Sequence, residues 1–321
     1  MKLLKILVIV FIISVAFITC QKEISADDIF NPPLQNTVGD SVFLDKIYNL
    51  NISGGGADTS IIRTYYYDNL KRVTAIEDSS LDVGDPLKPF FSLKYFYSGT
   101  DTLPFKSLFL DYEKSVSLNN PFLTDTVITF FRYDAVGRNQ SDSASSFMHD
   151  GFGTSSDPFV SNRYKIIQNY QYAYGKIFRK VLTTNVFGVY YGYVPLGEQR
   201  DTATVDANGN ILTMKRYSVN SGVSVLEFNS QYTYDNKVNP YCRLSDFRTY
   251  SVVPHFKELS DLFQTKNNRL NAMETDINGN IEKQDLTGQY TYRNDGYPLI
   301  LILDYPQVGE TQKIIYTYKS L

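Results

Sequence analysis

From Val42 to the C-terminus the chain mostly alternates between apolar or aromatic and polar side chains, and it breaks step chiefly at short clusters of Asp, Asn and Gly. Successive side chains of a strand point to opposite faces, so a period of two encodes half-buried strands, whereas a helix needs a period near 3.6. Tyr, Phe, Val, Ile and Thr dominate the alternating runs, as suits pleated, half-buried surface. Several strand-to-turn junctions share one pattern. Tyr65-Tyr66-Tyr67-Asp68-Asn69-Leu70, Phe131-Arg132-Tyr133-Asp134, Tyr232-Thr233-Tyr234-Asp235-Asn236 and Tyr290-Thr291-Tyr292-Arg293-Asn294-Asp295-Gly296 all close an aromatic beat with a turn. Asp206-Ala207-Asn208-Gly209-Asn210 and Asp276-Ile277-Asn278-Gly279-Asn280 are a second turn type. Tyr residues two apart share a strand face, and Asn-Gly supplies the positive φ pair of a two-residue hairpin. The fold class expected is mainly β: an antiparallel hairpin meander forming a twisted sheet or a rolled half-barrel.

Composition narrows the function classes. With 26 Tyr, 21 Phe and 43% hydrophobic residues, the chain can bury a core and is not a disordered polymer. Thirty-one Lys+Arg against 34 Asp+Glu leave no electrostatic footprint for nucleic acid. Two His, His149 and His255, exclude a multi-histidine metal centre, and two Cys, Cys20 and Cys242, exclude a disulfide framework.

The N-terminus reads as an address. Lys2 and Lys5 precede an apolar run from Ile6 to Ile18, interrupted only by Ser14, too short to span a bilayer and of the length of a secretory leader. The run ends on Thr19 and Cys20. Phe17-Ile18-Thr19-Cys20 resembles a bacterial lipobox, in which the cysteine thiol takes a diacylglycerol and the leader is cut before it. It departs from the usual pattern at Phe17, where Leu is common, and at Thr19, where a small residue is. The alternative is an ordinary signal peptide with an incidental Cys20. Residues 1–19 are therefore expected to be a lipoprotein signal peptide and residues 20–41, with Asn31-Pro32-Pro33 and no periodicity, a flexible tether. Residues 42–321 form one β domain. A weakly acidic chain does not hold anionic lipid by net charge, so the acyl chains on Cys20 are the membrane contact.

The aromatic and Asp-rich turns resemble the tyrosine-aspartate (YD) repeats of Rhs and teneurin-type proteins. The closer likeness is to degenerate YD-like hypothetical lipoproteins of Gram-negative bacteria, of unknown function. Tyr232 to Tyr241 is the most specific stretch, and the likeness covers most of residues 42–321. The motif Asp residues at 68, 134, 206, 235 and 276 are unevenly spaced, which favours a single sheet over a regular repeat array.

One segment breaks the alternation. Phe256, Leu259, Leu262 and Phe263 follow Pro254 at helical spacing, so a short helix is expected near 255–263. Ser53 to Thr59, Leu81 to Lys88 and Asp150 to Asp157 read as loops.

No constellation of residues announces chemistry. The two Asp-x-Asn-Gly-Asn segments offer oxygens at alternate positions, yet lack the glycine and acid positions of an EF-hand loop, and turns require this composition anyway. Glu77/Asp78, Asp82/Asp85 and Asp27/Asp28 are carboxylate pairs by sequence only and read as solvated loop residues; glycoside hydrolysis needs two acids opposed across a sugar. Nucleophile elbow, P-loop and dinucleotide fingerprint are missing. Cys242 reads as a small buried hydrophobe. The Tyr wealth serves either cross-strand packing, the favoured reading, or an exposed platform for sugars or peptides. The functional expectation is an outer-membrane lipid-anchored protein, facing the periplasm or the cell surface. It is non-catalytic and cofactor-free, a binding or structural module for a glycan or an envelope protein. An envelope hydrolase with fold-assembled carboxylates is the alternative.

Overall fold

A computed structural model describes residues 42–53, 56–80, 89–112, 124–150, 160–187, 195–243, 265–305 and 310–321. Sixteen strands follow one another in hairpin order. They are β1 (Phe43–Ser53), β2 (Gly56–Tyr67), β3 (Val73–Ser80), β4 (Pro89–Phe96), β5 (Lys106–Asp111), β6 (Asp125–Tyr133), β7 (Asn139–Asp150) and β8 (Val160–Ala173). Then come β9 (Lys176–Phe187), β10 (Pro195–Val205), β11 (Ile211–Asn220), β12 (Val223–Val238), β13 (Asn267–Thr275), β14 (Ile281–Tyr292), β15 (Pro298–Tyr305) and β16 (Glu310–Lys319). Each strand pairs antiparallel with the next, as the alternation requires. The two outer edges also meet: β1 pairs with β16, with Phe43 opposite Lys319, Ile47 opposite Tyr316 and Asn51 opposite Gln312. The expected meander is present, and its sheet closes fully where a half-barrel would leave two edges open. Closure satisfies the edge backbone groups that an open sheet presents to other chains.

Among the described residues no helix is long and apolar enough to cross a membrane. The helix expected near 255–263 lies outside the described residues, as do Cys20, the 1–19 leader and the 20–41 tether. The loop expected at Ser53 to Thr59 is shorter than the sequence suggests, because β2 already begins at Gly56.

Strand parity decides what fills the barrel. The inward residues of β1 to β6 include Ile47, Tyr65, Ile76, Leu93, Phe109 and Val127, all buried in one apolar cluster that continues through Leu301, Leu303 and Tyr316. A smaller cluster of Ala203, Ile211, Met214 and Tyr232 lies on β10 to β12. Tyr65 is fully buried while its neighbour Tyr66 faces outward, and Tyr232 is buried with Tyr234 half-buried beside it. The Tyr pairs are core, which removes them as an exposed platform.

The Tyr-x-Tyr-Asp junction has a physical explanation here. Its second Tyr lies at or near the end of a strand and donates its hydroxyl across the barrel wall to a carbonyl at the start of an earlier strand or just before it. Tyr67 bonds Leu44 at 2.8 Å, Tyr133 bonds Pro104 at 3.0 Å and Tyr234 bonds Ile211 at 2.7 Å. Tyr97, Tyr172 and Tyr318 repeat the contact to Val73, Asn139 and Pro298. The Asp that follows closes the turn. Asp134 Oδ1 accepts the amides of Val136 and Arg138, and its Oδ2 accepts Arg138 Nε at 2.7 Å. Arg138 then lies 4.7 Å from the Tyr172 ring of the following hairpin, as Arg72 lies 4.4 Å from Tyr97. These two turns are thus each pinned to the next connection on the same rim.

These turns are not two-residue hairpins. Asp276 and Asn280 exchange the closing backbone bond, the Gly279 amide donates to Asp276 O, and only Gly279 has positive φ. The loop is a type I turn followed by a left-handed residue, a geometry that lets one Asp oxygen reach the amides of Asn278 and Asn280. Two-residue turns with paired positive φ occur instead at Tyr174-Gly175 and Ser221-Gly222. In a meander, alternate connections share an end. The Asp68, Asp134, Asp206 and Arg293 turns, the start of β1 and the end of β16 therefore crowd one rim, the turn rim.

Candidate functional site inside the barrel

The β12–β13 connection leaves the turn rim and turns inward. Pro240–Arg243 makes one 3-10 turn, with Tyr241 buried in the lumen, 6.1 Å from the Tyr316 ring. Asn239 clamps the two ends of the connection together. Its amide donates to Lys266 O at 3.0 Å, its Nδ2 to Thr265 O at 3.0 Å, and its Oδ1 accepts the Tyr241 amide at 3.0 Å.

Beneath this segment lies a cavity of about 160 Å³. A space of that size holds one six-membered ring. Its apolar wall is Ile47, Ile61, Phe91, Leu301 and Ile314, and its polar wall is Asn49, Asn239, Asn268, Arg63, Asp78 and Arg269. Arg63 and Asp78 are direct cross-strand partners, and the guanidinium binds the carboxylate in bidentate fashion at 2.7 and 2.6 Å. Asp78 is 1% exposed. Burial pushes its carboxyl above the usual range, and the Arg63 charge and hydrogen bonds oppose that rise. Burial also drives Tyr241, Tyr290 and Tyr316 upward, so these hydroxyls stay neutral donors at physiological pH. The cavity offers a ring-sized molecule an apolar slot, guanidinium and amide donors, and neutral phenols.

A second polar system runs along the inner wall of β7 to β12. Register places Asp142 opposite Gln168, Tyr170 opposite Arg179, Arg179 opposite Asp201, Asp201 opposite Arg216 and Arg216 opposite Phe228. Asp201 accepts Arg179 Nε at 2.7 Å and Arg216 Nε at 3.1 Å. Burial alone would raise the Asp201 carboxyl, but the two guanidinium groups outweigh it and hold the carboxyl below its usual range. Asp142 lacks such a partner. Burial pushes it up to about 6, against hydrogen bonds from Tyr170 and Asn139 and the more distant Arg179 charge.

Sequence reasoning placed Glu77 and Asp78 together as solvated loop acids. They lie on β3 facing opposite sides, Asp78 inward and paired with Arg63. Asp82, Asp85, Asp27 and Asp28 are outside the described residues, as is His255. His149 lies in β7 and Cys242 in the 3-10 turn. Asp206 and Asp276 spend their carboxylates on their own loops, each accepting two backbone amides and an Asn side chain at 2.9 Å. The lumen residues Arg63, Asp142, Arg179, Asp201, Arg216 and Arg269 were not singled out from sequence. Parity was the available signal: Arg63 shares a face with Tyr65 and Tyr67, which no solvated arginine would.

No family model and no curated protein matches the chain. Among solved structures, a porin-like protein from Bacteroides vulgatus is similar over 87% of this chain and 100% of its own, with 13% identity and a TM-score of 0.51. A porin-like protein from Bacteroides uniformis aligns over 86% and 98%, with 12% identity and a TM-score of 0.46. The first likeness shows that this barrel architecture recurs in a solved protein, and it speaks to the fold alone.

Proposed function

We propose that the protein is a lipid-anchored component of the outer membrane whose barrel is a non-catalytic binding or structural module. The observation that carries this reading is the polarity of the barrel wall. Lys165, Lys180, Arg200 and Lys215 stand exposed on the outward face in the middle of β8, β9, β10 and β11. An Arg or Lys on a lipid-facing strand costs about 2–4 kcal/mol at the bilayer midplane, so four on adjacent strands oppose insertion strongly. Transmembrane barrels put apolar residues outside and polar ones in the lumen, whereas this one packs Tyr65, Phe91, Leu93 and Phe109 inside. A barrel built this way meets a membrane through an attached anchor, which is the part assigned to Cys20.

The non-catalytic part draws support from the cavity. Asp78 is the sole carboxylate in its lining among the described residues, and Arg63 occupies both of its oxygens. The decisive experiment is Cys20→Ser, followed by fractionation and metabolic labelling with a fatty-acid analogue. The variant is expected to lose the label and to leave the membrane fraction or accumulate as precursor. A cleaved, unlabelled variant still bound to the membrane would refute the anchor.

A further inference from the structure

Among the described residues, exposed apolar side chains are unevenly distributed over the barrel. On the outward face Tyr66, Phe96, Phe130, Phe178, Leu212 and Leu270 are all exposed, and each lies within a few residues of the turn rim. They come from β2, β4, β6, β9, β11 and β13, so they run round the circumference and do not gather on one side. The loop tips extend the band: Leu70 is 53% exposed and Val136 41%. At the opposite rim the exposed large apolar residues among those described are Val223, Val225, Ile277 and Ile281, with no aromatic ring.

An annulus perpendicular to the barrel axis matches a plane better than it matches the convex surface of a protein partner. Its chemistry fits the interface of a bilayer, where aromatic rings and long cationic side chains concentrate. The Lys106 ammonium lies 4.9 Å from the Phe96 ring and 5.9 Å from the Phe130 ring, an apolar pair with a charged head between. Lys71 and Lys266, on connections, and Lys176 and Lys237, at strand ends, are exposed at the same rim. The turn carboxylates Asp68 and Asp134 are neutralised by Arg72 and Arg138. Among the described acids of this rim, Asp68, Asp134 and Asp295 pair with arginines and Asp45 with Lys319, Asp206 and Asp235 are held by amide and hydroxyl donors, and Asp101 stays exposed beside the lysines. Lys side chains placed this close to an anionic lipid surface are attracted to it.

The chain itself enters at this end. Phe43 opens β1 on the turn rim, its ring edge-on to Tyr67 at 5.4 Å. Cys20 stands 22 residues before Val42, a stretch that reaches at most about 75 Å. An acyl anchor at Cys20 joins the barrel to the lipid from this rim, and weak rim contacts then act as intramolecular ones.

We propose that the turn rim is a membrane-seating surface, which lays its aromatic annulus into the interface of an anionic phospholipid bilayer and holds the barrel upright on it. The assignment of which rim meets the membrane rests on the lipid-anchored reading.

The chain has no Trp, so one substitution makes a clean reporter. Phe96→Trp, Phe130→Trp and Phe178→Trp sample the annulus, and Val225→Trp samples the far rim. The acylated protein is placed on vesicles of phosphatidylethanolamine and phosphatidylglycerol, with and without brominated acyl chains. The three annulus reporters are expected to shift to the blue and to be quenched by bromine, while Val225→Trp keeps its aqueous spectrum. Unshifted, unquenched annulus reporters overturn the proposal, and so does equal quenching at Val225→Trp. If Cys20 carries no lipid, the same reporters are read in a chain beginning at Gln21, held to nickel-chelating lipid by an N-terminal histidine tag. The barrel closes between Phe43 and Lys319, so that chain keeps the whole fold. Failure of the anchor and failure of the seating surface are then separate results.

Discussion

Replacing Asp142 by Asn is expected to stabilise the protein at neutral pH. Asp142 faces the lumen from β7 at 2% exposure. Its Oδ2 accepts the Tyr170 hydroxyl at 3.1 Å and Asn139 Nδ2 at 3.2 Å, and its Oδ1 is buried with no hydrogen-bond partner. Burial pushes its pKa up to about 6, from 3.8 for an unperturbed aspartate. Between those values the folded protein keeps a proton that the unfolded chain has lost, so stability falls as pH rises through that window. Above the folded pKa the penalty is complete. Roughly two pKa units correspond to about 3 kcal/mol, an upper figure for one buried carboxylate. Asn has the same shape, still accepts from Tyr170 through its oxygen, and carries no charge. The Asp142→Asn variant should be more stable than the parent by about 1–3 kcal/mol at about pH 7.5, a rise of a few degrees in Tm for a domain of this size. The difference should shrink steadily below about pH 6 and vanish by about pH 4. Thermal and urea melts followed by circular dichroism across that range measure it. A variant less stable at about pH 7.5, or an offset that does not change with pH, would refute the reasoning.

Two further outcomes follow from the same packing. Lys71 holds the positive-φ position that Gly279 holds in its own turn, at φ 63 against φ 82, so Lys71→Gly should stabilise by about 0.5–1 kcal/mol; Gly279→Ala, whose new Cβ meets nothing within 4 Å, should cost about 1 kcal/mol from backbone strain alone. Equal signs in chemical denaturation would contradict the turn geometry. Arg63→Leu should cost about 3–5 kcal/mol by stranding Asp78, and adding Asp78→Leu should recover most of it; a double variant as unstable as the single one would show that the pair does more than neutralise itself.

What the sequence made legible was whatever is local. Period two and the Asp-Asn-Gly clusters located the hairpins, because strand parity and turn chemistry act within a few residues. Closure was not legible, because the pairing of β1 with β16 joins residues more than 260 apart and leaves no trace in either strand's own pattern. The turn class was misjudged for a similar reason. Asn-Gly satisfies a two-residue loop and a three-residue one equally, and the choice falls to the Asp276 carboxylate, whose reach to the amides of Asn278 and Asn280 requires the longer loop. The lumen charges were legible in part. Arg63 sits at the parity of Tyr65, but its acid, Asp78, is fixed only by the β2–β3 register.

The width of the barrel accounts for the composition that first set this chain apart. Sixteen antiparallel strands enclose a lumen wide enough, in membrane porins, to remain a water-filled channel. To be a core instead, that space must be filled from the wall, and Leu or Val is too short to reach far into it. Tyr, Phe and Arg have the length. Each long side chain then carries a polar tip or charge inward that must be satisfied. The tyrosines meet this by bonding strand-start carbonyls, as Tyr67, Tyr234 and Tyr318 do, and the arginines by pairing with acids on the neighbouring strand, as Arg63 and Arg179 do. The Pro240–Arg243 turn adds Tyr241 from the chain's own connection. Where these fillers fall short, between Arg63, Tyr241 and Tyr290, the cavity of about 160 Å³ remains. A ligand there would complete a core that the wall alone does not fill, so binding should register as a gain in stability of the whole barrel.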